Sequence, residues 1–164
     1  MRLALAVLLN SLLILSVPTP LLAKAKTVKI TISGAGLKTP IEISDPKVLA
    51  NFTVWTRTAD HGLIIDWSQG PVRETPKTLR RYQISFYADA PNERIVYVVY
   101  YVFNPNAGPG YVYLPGKSDE WYRLNTFSIL RGEEGKWFPA WNAWERVARP
   151  LIEKAERTDS IQSR

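Results

Sequence analysis

The chain contains no cysteine, one histidine and one methionine. Without cysteine the fold has no disulfides and no thiolate-bound zinc. A lipid-modified N-terminus is excluded as well, because it needs a Cys directly after the cleavage point. One imidazole cannot build a histidine-based metal site within one chain, and no cofactor or metal is expected. No G-x-S-x-G elbow occurs, so the common nucleophile arrangements have no signature here. Charge runs are missing too. The 21 basic and 15 acidic residues are scattered, and Lys77, Arg80 and Arg81 make the densest basic group. Such a distribution does not suit nucleic acid and places the cluster on a solvated loop, with an anionic envelope polymer as its alternative partner. No period of about 20–50 residues recurs, which excludes a repeat array.

What is present begins with an export pattern. Arg2 precedes an apolar stretch over residues 3–17, interrupted only by Asn10, Ser11 and Ser16. Pro18 and Pro20 break any helix, and Ala23-Lys24-Ala25 supplies small residues for a peptidase. The pattern predicts a signal peptide over residues 1–25 and export to the periplasm or beyond. An uncleaved anchor over residues 3–22 is the alternative, and the only route to a membrane. A spanning helix wants roughly 20 apolar residues, and two prolines near its end spoil the fit. Cleavage leaves 139 of the 164 residues, the length of one domain. Losing Arg2 and Lys24 lowers the net charge from +6 to +4.

The mature sequence reads mainly as β-structure. Residues 28–32 alternate apolar and polar, residues 33–36 turn, and residues 40–43 form a second short strand. Asp45 and Pro46 suit the N-cap and first position of a brief helix. Residues 53–56 return to β-favouring types. Residues 57–80 read as a long irregular loop with a short strand at 63–65. Residues 82–88 and 94–103 form the clearest hairpin. The second strand is apolar on both faces and belongs at the centre of a sheet. Residues 104–110 carry dense turn chemistry, and residues 111–114 and 121–130 read as further strands. From Pro139, Trp141, Trp144, Ala148, Leu151, Ile152 and Ala155 fall at helical spacing, with Pro150 expected to kink or split the helix. The expectation is an antiparallel sheet, sandwich or half-open barrel, with a C-terminal helix packed on it. One domain spans residues 26–156, followed by a frayed polar tail over 157–164.

Candidate chemistry is sparse. His61 lies between Asp60 and Gly62, with Asp66 nearby, but no nucleophile signature accompanies it. Asp119-Glu120 and Glu133-Glu134 are adjacent in sequence, where side chains diverge. Among Asp60, Asp66, Asp119 and Glu145, convergence is a matter for three dimensions. The aromatic residues say more: six Trp, eight Tyr and five Phe all follow the signal. Trp141 and Trp144 share the helical stripe and belong in the core. Trp121 and Trp137 sit beside turns. With Tyr111 and Tyr113 they are the candidate binding residues, because such rings stack on sugars and partner surfaces.

Two stretches resemble recurrent features of exported bacterial single-domain proteins. One is Ile30-Thr31-Ile32-Ser33-Gly34-Ala35-Gly36-Leu37 followed by Pro40-Ile41-Glu42-Ile43-Ser44-Asp45-Pro46. The other runs from Tyr113-Leu114-Pro115-Gly116 through Trp121-Tyr122-Arg123-Leu124-Asn125 and Gly135-Lys136-Trp137-Phe138 to Ala143-Trp144. The resemblance implies a bacterial, exported single domain and carries over no residue role. The expected function is an exported binding or interaction domain without catalysis, taking carbohydrate, cell-wall polymer or another envelope protein. A small hydrolase acting on envelope carbohydrate is the alternative.

Overall fold

The computed structural model describes residues 27–52, 69–74, 79–89, 93–125 and 132–161. The signal region, the expected strands at 53–56 and 63–65, His61 with Asp60 and Asp66, and Lys77 lie outside them. Alternating apolar residues generate β1 (Thr27–Gly34), β2 (Ile41–Ile43), β3 (Arg81–Ala88) and β4 (Arg94–Asn104), followed by β5 (Ala107–Tyr113) and β6 (Trp137–Pro139). Among the described residues they form one antiparallel sheet in the order β2-β1-β3-β4-β5-β6. The long apolar β4 is interior, between β3 and β5. The mainly β reading with a C-terminal helix on the sheet therefore holds.

Helices cover one face of this sheet. Ile30, Ile32, Tyr82, Ile84, Phe86, Tyr97, Val99, Tyr101, Val112 and Phe138 are all buried, and they meet Leu49, Phe52, Trp144, Ala148 and Ile152 in one core. Leu49 comes from α1 (Pro46–Leu49), which begins as expected: the Asp45 carboxylate accepts from Lys47 N at 2.8 Å and Pro46 takes the first turn. Trp144 is fully buried, edge-on to Phe52 at 5.1 Å and stacked on Tyr101 at 5.1 Å.

The C-terminal helix solves its proline problem by widening. Pro150 has no N–H to give Arg146, and in a regular α-helix its ring would clash with that carbonyl. The preceding turn, Trp144–Ala148, is a π-helix, and Arg149 N bonds back to Trp144 O. The chain then continues as an α-helix over Arg149–Ile161, with α2 (Tyr122–Asn125) preceding it and this helix as α3. Helix therefore replaces the frayed tail expected from residue 157 as far as Ile161, where Lys38 N donates to Asp159 Oδ2 at 2.9 Å. Pro139 ends β6 rather than starting the helix.

Two other expectations change. Residues 104–110 are only partly a turn. Pro105-Asn106 reverses the chain and β5 already starts at Ala107, with a register shift beside Val102 and Asn104 absorbing the glycines. Gly110 is required there, because an added Cβ would lie 2.5 Å from Tyr101 Cε2. Residues 121–130 do not start as a strand. Tyr122–Asn125 is one helical turn, and its last residue stands where β4 has no strand neighbour among the described residues. Val98 N donates to Asn125 Oδ1 at 3.0 Å, and Asn125 Nδ2 donates to Val98 O at 2.5 Å.

Candidate functional site

The second face of the sheet carries the aromatic candidates, and strand register brings them together. Cross-strand pairing aligns Gln83 with Tyr100, Tyr100 with Tyr113, and Tyr113 with Trp137. With strands about 4.8 Å apart, this row is about 14 Å long. All four residues are half-buried. Tyr100 and Tyr113 have ring centres 6.3 Å apart and tilted by 34°. Tyr113 and Trp137 are 4.9 Å apart and tilted by 36°. Trp121 joins from the loop before α2, its indole N–H donating to Gln83 Oε1 at 3.2 Å. Tyr111 lies two residues before Tyr113 on the same face, aligned with Val102 and Pro139. Trp121, Trp137, Tyr111 and Tyr113 thus share one surface, and all are half-buried.

Polar groups fix the rings. The Arg81 guanidinium lies 3.6 Å over the Tyr100 ring and 5.1 Å from that of Tyr113. Asp119 Oδ2 accepts from the Tyr113 hydroxyl at 2.8 Å and from Gly116 N at 2.7 Å. Gly116 is itself forced by packing, since a Cβ there would sit 2.8 Å from the Gly135 Cα. Burial, then the bond to Asp119, raises the Tyr113 hydroxyl pKa above its usual value near 10, while Arg81 opposes the rise. For Tyr100, burial raises the pKa, Arg81 opposes it, and Asp119 and Glu120 add to it. Sequence reasoning missed Arg81, Gln83 and Asp119 as parts of this surface. Period-2 spacing along 81–88 was the signal for the first two, placing Arg81 and Gln83 opposite the core residues.

The other titratable clusters dock the helix. The Tyr101 hydroxyl and Gly110 N both donate to Glu145 Oε1 at 2.8 Å. Arg149 pairs with Glu145 and Glu153, and also caps the carbonyls of Asn104, Pro105 and Gly108. A second triad repeats the chemistry: Tyr82 donates to Glu156 Oε1 at 2.7 Å, and Arg80 at 2.8 Å. These groups are occupied in holding the fold. Tyr101 and Tyr113 project from opposite faces, because Tyr101 aligns with Val112 while Tyr113 aligns with Tyr100. Their carboxylate partners, Glu145 and Asp119, therefore do not face each other across a bond, as glycoside hydrolysis would need. Among the described residues, no three Asp, Glu or His side chains gather as a metal site requires, and no helix is long and apolar enough to cross a membrane.

A scan against protein-family models gives no match, and neither do searches of curated proteins and of solved structures.

Proposed function

We propose that this chain is an exported, non-catalytic binding domain whose contact surface is the aromatic face of its sheet. The observation that carries the reading is the half-buried row Gln83–Tyr100–Tyr113–Trp137, with Trp121 hydrogen-bonded to its end. A soluble domain has no packing reason to leave four indole and phenol rings partly open on one surface. Tyr and Trp there give large rigid contact area at little entropic cost. The helix-covered face needs none of these rings for its core.

Sedimentation with isolated envelope polymer (purified peptidoglycan sacculi and the polysaccharide fraction) tests the surface. The mature chain is expected to pellet with at least one of them, and Trp137→Ala, Trp121→Ala and Tyr113→Ala to pellet less with unchanged far-ultraviolet dichroism. Equal pelleting by wild type and all three variants rules the surface out. Mass analysis of the exported material tests the destination. It is expected to begin at Lys26, and intact Met1 in the membrane fraction would make this an anchored protein instead.

A further inference from the structure

We infer that the ligand of the aromatic face is an uncharged polysaccharide, read through a vicinal diol by Arg81 and Asp119, both beside Tyr113. This rests on the binding function proposed above and adds its ligand class and its specificity residues.

Among the described residues, the Arg81 guanidinium is an oriented donor with no acceptor. It is exposed, and among the described residues its side chain makes no ion pair and no hydrogen bond. Stacking on Tyr100 at 3.6 Å nevertheless holds its plane in place. Its N–H groups are thus fixed beside the Tyr113 ring, whose centre is 5.1 Å away. Asp119 is an oriented acceptor on the same ring. Its Oδ2 is taken by the Tyr113 hydroxyl and Gly116 N, which leaves Oδ1 unbonded among the described residues. A sugar ring lying over Tyr113 and Trp137 offers C–H groups to the aromatic surface. One of its hydroxyls accepts from Arg81, and the neighbouring hydroxyl donates to Asp119.

Charge selects against the alternatives. Among the described residues, the charged groups that act on Tyr100 are one guanidinium, Arg81, and two carboxylates, Asp119 and Glu120. A polyanion laid along the row meets both carboxylates, and a polycation meets the guanidinium. An uncharged polyol uses both signs as hydrogen-bonding partners. The row spans about 14 Å at the usual strand spacing, which accommodates more than one ring. A polymer therefore fits it better than a single sugar.

Affinity electrophoresis of the mature chain decides the matter, in gels carrying hydroxyethyl cellulose, soluble β-glucan or mannan, with polygalacturonate and chitosan as charged counterparts. Retardation by a neutral polymer is expected, with binding weakened at least about 10-fold in both Arg81→Gln and Asp119→Asn, and with thermal midpoints near wild type. Retardation lost only in Trp137→Ala, with Arg81→Gln and Asp119→Asn binding as wild type, overturns the diol reading and leaves the aromatic surface standing. Stronger binding to polygalacturonate or chitosan overturns the charge argument. No retardation by any neutral polymer overturns the ligand class, while sedimentation with sacculi decides the binding function separately.

Discussion

Tyrosine serves opposite purposes on the two faces of the sheet. On the helix side, Tyr82 and Tyr101 bury whole rings, and their hydroxyls reach Glu156 and Glu145 on the covering helix. On the other side, Tyr100 and Tyr113 leave their rings half-buried, and their polar neighbours come from loops and from Arg81. The same residue type is mortar on one face and a presented surface on the other. Solvent access decides which. A buried phenol must find an acceptor because no water is left to supply one.

Several substitutions should break or sharpen that contrast. The largest effect is expected from Val99→Asp, which puts an unpaired charge between sheet and helix at a fully buried position. Circular dichroism should show loss of cooperative folding, and a variant melting like wild type would place Val99 outside the core. Next, Trp144→Ala should cost about 3–5 kcal/mol by chemical denaturation, the usual penalty for emptying a large aromatic site. Trp137→Ala should cost clearly less, because its ring is only partly buried. Equal costs would erase the distinction between the faces. Smaller still, Tyr101→Phe removes a bond to a carboxylate and should cost about 1.5 kcal/mol, against about 0.5 kcal/mol for Tyr113→Phe.

The last effect is a titration. Burial raises the hydroxyl pKa of Tyr82, Tyr97 and Tyr101 well above the ordinary value near 10. The folded chain then holds these protons to higher pH than the unfolded chain does. Their contribution is complete below pH ~10 and declines progressively as pH rises beyond it, because the unfolded state ionises first. Denaturation midpoints measured from pH 8 to 11 should fall only above about pH 10. In Tyr101→Phe the fall should be shallower.

Periodicity made the sheet legible and hid its irregular parts. Residues 82–88 and 94–103 alternate or run apolar, and they became β3 and β4 at nearly those bounds. Asp45-Pro46 announced α1 through local chemistry alone. β6 escaped because three residues are too few for a period, and the first half of β5 because Gly108, Pro109 and Gly110 look like a turn. They are in the strand because Gly110 must make room for the Tyr101 ring, a contact no local pattern encodes. The alternation over 121–125 was misleading in the other direction, since Asn125 is needed for its amide and not for its face. Trp121 and Trp137 were legible as residues beside turns, and Tyr111 and Tyr113 as residues of a strand. Their assembly on one surface was not, because register across four strands depends on pairings far apart in sequence.

The amide of Asn125 also guards the sheet against other chains. β5 pairs with β4 from Tyr100 onward, so among the described residues it is Asn125 that takes up the backbone donor and acceptor of Val98. Around that notch runs Val96-Tyr97-Val98-Val99-Tyr100-Tyr101-Val102, an uncharged, proline-free, β-branched and aromatic segment of the kind that zips into cross-β aggregates. A side chain that copies both backbone bonds closes the notch as a strand edge would, and offers no edge of its own. Self-association, rather than the folding equilibrium alone, is therefore where losing Asn125 would be felt.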